Sequence, residues 1–575
     1  EKRMFGIRNL PVKMTGNILM NLLPRNKNLQ ALLLCLLSGA LLGLSFPPFK
    51  TWFLVYFGLA ILLYITLNAS RFRQAFARAY VVMLIFNEIT LYWISGWHSD
   101  DTFLKIGGVA TVIVHSLFML IPLLITYGVS RIKRELALAL FPFIWVGYEF
   151  FDNEWQFAFP WLELGNTETY NLNRIQYIEF TGVHGTTFLI CTVTVLLYLL
   201  ISSIYKKKWK LSSPASLVLY FSILVLLLFP NFYSASRISD PDNLRYFNLS
   251  DSTKVVNTAI VQTNTDPFKK WGGDHDQLLD TYINGLHDGL KFRPDMLVLH
   301  ETATPFYFLE DINLLKSKRF FDLVDSSKTF LTMGIPHKYY YPDSIPAPPD
   351  HRTTEPSKRK FDVFNSAILI EPGKYHKDLT IHKKVKLVPF SERMPYQEKV
   401  PFAKKWFTWG VGISGWQLGN DTNIFVLKDK EKNIDTKFAA LICYESVFSD
   451  FVTQFTKRGA EYFIIVTNDG WWGNTSGPYQ HNQYAVLRAI ENRKWIVRCA
   501  QTGVSCFIDP LGSMYDEIPY WSTGVVHRNI VGNSERTFYS ENGDIIGKVG
   551  FYIAALSLVG SIAGYVYRRK VKSKA

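Results

Sequence analysis

The chain has 575 residues, too many for one compact domain, with 48% hydrophobic residues and a formal net charge of +14. That charge would suit nucleic acid or an anionic membrane surface, but the basic residues cluster at the ends of apolar segments and no nucleic-acid-binding motif accompanies them, which excludes a nucleic-acid partner and leaves the membrane. The five cysteines, Cys35, Cys191, Cys443, Cys499 and Cys506, are odd in number and form no CxxC or His/Cys cluster, so no disulfide framework is required and no metal or other cofactor is expected.

Residues 1–28 make a basic segment with Lys2, Arg3, Arg8, Lys13, Arg25 and Lys27. The apolar run 29–46 has no small-residue cleavage site after it. Pro47 and Pro48 turn it straight into another apolar run, so it reads as a retained membrane helix and not a signal peptide. Runs at 51–68, 75–95, 107–130, 135–151, 177–201 and 214–230 follow, each near the ~20 residues that cross a bilayer, and 549–567 is one more. The expected organisation is a transmembrane domain of about seven helices over 29–231, an α/β domain over 232–548, a last span over 549–567 and a basic tail over 568–575. Eight spans put both termini on one side. Arg71, Arg73 and Arg78 follow the second run, Arg131, Lys133 and Arg134 the fourth, Lys206, Lys207, Lys208 and Lys210 the sixth, and Arg568, Arg569, Lys570 and Lys572 the last. The alternate connections carry Asp100 and Asp101, then Asp152, Glu154, Glu163 and Glu168. This Lys/Arg bias places the basic loops and both termini in the cytoplasm and 232–548 on the opposite side. Glu88 and His115 are polar positions inside apolar runs, and such groups are functional candidates by default.

The 232–548 region alternates strand-like stretches (255–264, 296–301, 330–336, 365–371, 438–444, 462–468 and 496–509) with helical ones such as 274–289 and 481–492, which predicts strand-helix layering. Residues 339–360, rich in Pro, Asp, Ser and Arg, read as an exposed loop. If 496–509 is one unbroken strand, Cys499 and Cys506 face opposite sides. Between 394 and 420, Tyr396, Phe402, Trp406, Phe407, Trp409 and Trp416 interleave with Lys399, Lys404 and Lys405. This suits either a core helix with a basic face or an interfacial segment with its aromatics in the headgroup zone. Three reactive residues stand beside strand ends: Glu301 closes MLVLHE, Lys384 precedes a Leu-Val-Pro-Phe turn, and Cys443 closes FAALIC ahead of Tyr444 and Glu445.

A Glu, a Lys and a Cys in that chain order resemble the Glu-Lys-Cys triad of the nitrilase superfamily. VTNDGWWG (466–473), GPYQH (477–481), LLGLSFPPF (41–49) and FPWLELGNT (159–167) look like its membrane-bound branch, the apolipoprotein N-acyltransferases. The resemblance implies a multi-pass α-helical membrane domain joined to an α/β nitrilase-like αββα sandwich. It implies Cys443 as nucleophile, Glu301 as the base that a mostly protonated thiol requires, and Lys384 as the cation near the oxyanion. Lys384 is chosen over Lys383 and Lys386 because the family's lysine stands three residues before the position of Leu387. Glu392 matches a second glutamate that holds the lysine, Tyr444 and Glu445 match the family's Cys-Tyr-Glu, and Trp271 resembles a substrate-site tryptophan. Trp406, Phe407 and Trp409 are expected at a lipid entrance.

The implied reaction moves an acyl chain from a membrane phospholipid, through a thioester on Cys443, to the α-amino group of the diacylglyceryl-modified amino-terminal cysteine of an apolipoprotein. It would run without a cofactor, in a monomer, at a bacterial inner membrane with the catalytic domain on the periplasmic side. His300 stands where the family has Pro, Ser391 where it has Gly, and Gly470-Trp471-Trp472-Gly473 where it has Ala-Trp-Phe-Gly; these departures bear on substrate preference. Two alternatives stay open: a membrane-tethered nitrilase-type amidase that passes the acyl group to water, and a transporter or receptor with an inactive ectodomain.

Overall fold

The computed structural model describes residues 26–95, 102–205, 212–375, 378–400 and 415–574. Helix α1 (Lys27–Gly43) starts where the Asn26 side chain accepts the Asn28 and Leu29 N–H groups, a polar N-cap ahead of an apolar run. After the Pro47-Pro48 turn come α2 (Leu54–Leu67), α3 (Phe72–Leu91), α4 (Thr102–Phe118), α5 (Leu120–Ser130), α6 (Arg134–Asp152), α7 (Ile178–Tyr205) and α8 (Pro214–Ile238).

Each of the seven apolar runs before residue 239 is therefore helical, but not all eight expected spans qualify alike. Five stretches, Phe72–Ser95, Lys105–Ser130, Ile178–Ser203, Pro214–Ile238 and Ile545–Val571, are long and apolar enough to cross a membrane. α1 and α2 have only 17 and 14 residues, and α6 carries Arg134, Glu135, Glu149 and Asp152. α7 is broken at Gly182, whose φ is +63°; a Cβ there would also lie 2.3 Å from the Tyr539 ring, so only glycine fits.

The second half runs β1 (Val255–Gln262), α9 (His275–Leu290), β2 (Met296–Val298), α10 (Leu314–Ser327), β3 (Phe330–Tyr340), β4 (Arg352–Thr353), β5 (Lys360–Ile370), β6 (Ile381–Lys383), β7 (Phe425–Asp429), β8 (Ile434–Ile442), α11 (Ser449–Lys457), β9 (Tyr462–Thr467), α12 (Ser476–Asn492), β10 (Ile496–Ala500), β11 (Ser505–Ile508), β12 (Met514–Ile518), β13 (Gly524–Val531), α13 (Phe538–Asn542) and α14 (Ile545–Lys574). One sheet has the order β13-β1-β2-β3-β5-β4 with β6 also on β5, and the other β12-β11-β10-β9-β8-β7. Their inner faces share one core, with Ile260, Val298 and Ala367 meeting Ile442, Val466 and Val497. α9 and α10 cover the first sheet through Leu279, Leu286, Phe320 and Val324. α11 and α12 cover the second, and that core continues without a break into the membrane helices through Trp161, Val183 and Ile190. The architecture is an αββα sandwich seated by one helical layer on a helical membrane domain.

Two expectations change. The 496–509 stretch is not one strand: it splits into the antiparallel pair β10 and β11, with Arg498 opposite Cys506, because the polar Gln501-Thr502-Gly503 sequence turns the chain. Cys499 and Cys506 thus sit on neighbouring strands, and all five cysteines are free and buried. α12 starts at Ser476, five residues ahead of the 481 expected from apolar periodicity. It is polar yet buried along its length except at Tyr479, because its amides and charges bond the membrane half. Gln480 receives the Trp93 and Trp161 indole N–H groups and donates to Pro47 and Thr90 carbonyls, while Glu491 accepts the Val183 N–H released by the break in α7.

Candidate active site

Glu301 lies just past β2, where the chain still tracks β3 through the Gly334 N–H to His300 carbonyl and Ala303 N–H to Gly334 carbonyl bonds. A Cβ on Gly334 would come 2.6 Å from Glu301 Cα, so a glycine is what lets the Glu301 backbone lie this close. Lys384 follows β6 and is 1% exposed. Its Nζ donates to Glu301 Oε1 (3.1 Å) and Glu392 Oε1 (2.8 Å). The neighbouring Lys383 points elsewhere, over the Tyr339 and Phe364 rings, and Lys386 donates to the Asn153 carbonyl.

Glu392 also accepts the Val388 N–H at Oε2, which fixes its own loop. Asn365, on β5, completes the cluster: Nδ2 donates to Glu301 Oε1 at 2.7 Å and to Glu392 Oε1 at 3.3 Å, and its carbonyl accepts the Lys384 N–H. Two donors therefore bridge the same two carboxylate oxygens. No hydrogen bond occupies Glu301 Oε2 among the described residues. Burial pulls the Lys384 ammonium down, but Glu301 and Glu392 more than reverse this and leave it above an ordinary lysine. Burial lifts the Glu392 carboxyl, which Lys384 only partly offsets.

Cys443 directly follows β8, 7% exposed, with a φ of +50° at the head of a tight turn (Cys443–Val447). Burial pushes its thiol well above the ordinary value, Glu301 adds to this and Lys384 opposes it. A thiol in that state needs a base in contact to react. Glu445 ties the two arms together: it accepts the Ile442 N–H from β8 and the Val385 N–H beside Lys384, and lies 3.1 Å from His382 Nε2. Tyr444 points the other way, into the membrane half, where its hydroxyl donates to the Ala158 carbonyl and its ring lies parallel to Trp161. Trp271 belongs to a loop held beside Glu301 by its neighbour Lys270, whose Nζ donates to Thr302 Oγ1 and Gln501 Oε1. Burial brings the Lys270 ammonium down to about 7, with Glu301 opposing. Trp406, Phe407 and Trp409 lie outside the described residues.

The structure thus joins Glu301, Lys384 and Glu392 directly, with Cys443 near enough for Glu301 and Lys384 to act on its thiol, Glu445 bonded to both arms and Tyr444 facing away. Asn365 and Lys270 were not singled out from the sequence. The available signal for Asn365 was a polar residue interrupting the apolar β5 pattern FNSAILI; Lys270 left none among the chain's many lysines.

Residues 38–196 match the model of the apolipoprotein N-acyltransferase N-terminal domain, and 257–537 that of carbon-nitrogen hydrolases. An apolipoprotein N-acyltransferase of Chlorobaculum tepidum is 33% identical over 92% of this chain and 96% of its own length. One from Geobacter metallireducens is 29% identical over 94% and 95%, and one from Haemophilus influenzae 25% over 93% and 95%. An amidase of Nesterenkonia sp. aligns with 49% of this chain and 92% of its own at 16% identity, with a TM-score of 0.32.

Proposed function

The chain belongs to the apolipoprotein N-acyltransferase family, and from that premise we propose that this membrane protein moves an acyl chain from a phospholipid to the α-amino group of a diacylglyceryl-modified amino-terminal cysteine, by way of a thioester on Cys443. The Cys443 thiol gives its proton to Glu301 Oε2 as sulfur attacks the ester carbonyl carbon. The oxyanion faces the Lys384 ammonium and the Tyr444 N–H, donors placed before charge develops. Collapse expels the glycerol oxygen, which takes the proton from Glu301, and leaves lysophospholipid and thioester. In the second half the amine attacks the thioester, Glu301 accepts an amine proton, and the departing thiolate takes it back, restoring the enzyme. Each step is acyl transfer with one proton shuttled, so the chemistry calls for no cofactor.

The observation that carries this reading is the ring around Glu301. Lys384 and Asn365 both bond Oε1, which pins the carboxylate while leaving the other oxygen for the thiol. Glu392 holds Lys384, and Glu445 holds the Lys384 and Cys443 arms in register. Trp271 is assigned to the substrate site, and a role for Trp406, Phe407 and Trp409 in lipid entry rests on their aromatic, lysine-flanked sequence alone. The basic loops support an inner-membrane orientation with the catalytic half outside the cytoplasm.

Half-reaction order tests the acceptor. With phospholipid alone, an acyltransferase that excludes water accumulates the Cys443 thioester and stops after about one turnover. A peptide with diacylglyceryl cysteine at a free amino terminus clears it and yields an amide-linked acyl chain, and an N-acetylated peptide does not. Steady release of fatty acid without peptide, and no amide with it, would make water the acceptor and the protein an amidase.

A further inference from the structure

Among the described residues one group of three ligand-type side chains, Cys443, Asp469 and His481, has donor atoms all within 4.8 Å. All three are buried, and they would suit a thiophilic cation if nothing else stood there. Arg498 does: its Nη2 lies 2.7 Å from Asp469 Oδ2 and 3.2 Å from His481 Nδ1, with neither Arg498 nor Asp469 exposed. A cation shared by the carboxylate and the imidazole would sit against a guanidinium.

The same contacts make sense as a clamp on the nucleophile. His481 Nδ1 donates to Asp469 Oδ1 at 2.9 Å, and that oxygen also accepts the Thr467 hydroxyl. The other ring nitrogen, Nε2, lies 3.0 Å from Ser446 Oγ and 3.2 Å from the Cys443 carbonyl oxygen. Ser446 Oγ itself donates to that carbonyl at 2.7 Å. With hydrogen on both ring nitrogens, Nε2–H is shared between the Ser446 oxygen and the Cys443 carbonyl, so that carbonyl is gripped by two donors at a residue whose φ of +50° is strained for a non-glycine. Burial raises the Asp469 carboxyl, but Arg498 and His481 outweigh it and hold it below the usual range, so the anchor stays ionised.

We propose that His481, braced by Asp469 and Arg498, is a positioning residue for acyl transfer: its Nε2 holds the Cys443 carbonyl and Ser446 hydroxyl so that the strand-end backbone keeps the thiol aimed at Glu301. This rests on Cys443 being the nucleophile. The two ring nitrogens have separable jobs, which side-chain length can divide. In His481→Asn the amide takes the place of Nδ1 and keeps the bond to Asp469; in His481→Gln the longer amide reaches the place of Nε2.

The test is the single-turnover rate of Cys443 acylation by a short-chain thioester, read by intact mass on full-length protein in detergent, with thermal melts alongside. His481→Asn acylates at least about tenfold more slowly than wild type, the loss of a hydrogen bond made at the reacting geometry. His481→Gln recovers most of that rate although it melts no higher than the Asn variant. Ser446→Ala, a smaller change at the same carbonyl, slows acylation by about threefold or more and serves if both His481 variants fail to fold. Equal rates in His481→Asn and wild type, equal losses in Asn and Gln, or, where neither folds, an unchanged rate in Ser446→Ala would overturn the assignment. Absence of any acyl adduct on Cys443 in the wild type would instead overturn the nucleophile itself.

Discussion

Asn365→Asp keeps the shape of the side chain and exchanges a donor for an acceptor at the centre of the carboxylate ring. Asn365 Nδ2 sits 2.7 Å from Glu301 Oε1 and 3.3 Å from Glu392 Oε1. At an effective dielectric of about 20, two unit charges at the shorter separation repel by about 6 kcal/mol, so the new carboxyl is not tolerated ionised. Protonated, it donates one hydrogen bond where the amide donated two. A hydrogen bond to a charged group contributes about 1.5–3 kcal/mol, which predicts an acylation rate about ten- to a hundredfold below wild type near neutral pH. Because the surviving donor is an acid, the deficit widens as pH rises and that donor ionises. Asn365→Ala has nothing to protonate and keeps a constant deficit. The assay is the rate at which a short-chain ester acylates Cys443, followed by intact mass across a pH series. Parallel profiles for the Asp and Ala variants, or an Ala variant within about twofold of wild type, would refute the bridging role.

Cys443→Ala abolishes acyl transfer and the mass adduct, whereas Cys35→Ala, a change on α1, leaves turnover intact; turnover surviving in the Cys443 variant would sink the triad. Gly334→Ala forces a Cβ to within 2.6 Å of Glu301 Cα, so the backbone must shift, with an overpacking cost of about 1–3 kcal/mol and a larger loss of kcat than of lipid binding. Asp469 has its carboxyl held low, so its ion pair stabilises the fold fully above the unfolded value near 4 and loses that contribution as pH falls below it. Melts of wild type and Asp469→Asn should therefore diverge at pH 7 and converge toward pH 3, and a gap independent of pH contradicts the ion pair. An impermeant amine reagent on intact spheroplasts labels lysines of 252–540 but not Lys206–Lys208; the reverse pattern inverts the orientation.

The sheets were legible where a strand is buried on both faces, because MLVLHE and FAALIC are unbroken apolar runs that end on reactive residues. β7, β12 and β13 escaped because each carries exposed polar positions at an edge or near one, so their alternation is weak. The triad was read from resemblance in chain order, whereas Asn365 and His481 become visible only when strands far apart in sequence are paired. His481 shows the limit best. In sequence it opens a helix, and only burial of that whole helix reveals that its imidazole reaches back to the Cys443 carbonyl, 38 residues earlier. Tyr444 is adjacent to Cys443 in sequence yet faces the membrane half, since successive residues at a strand end diverge.

The burial of α12 sets an order of assembly. Its Gln480 and Glu491 have partners in segments 47–93 and 161–183, all synthesised hundreds of residues before the helix itself. Until residues 476–492 emerge, the Trp161 indole lacks its Gln480 acceptor while Trp93 keeps only the Thr90 carbonyl, and a buried polar group left without a partner costs about 1–3 kcal/mol. The membrane half therefore waits in an incomplete state, and the sandwich made without it would expose a polar helix whose amides and charges have lost their partners. Cutting the chain between the halves should give two aggregating pieces that recover only when produced together. Selection on either half is then selection on their seam, and a catalytic half transplanted onto another membrane anchor inherits none of its fit.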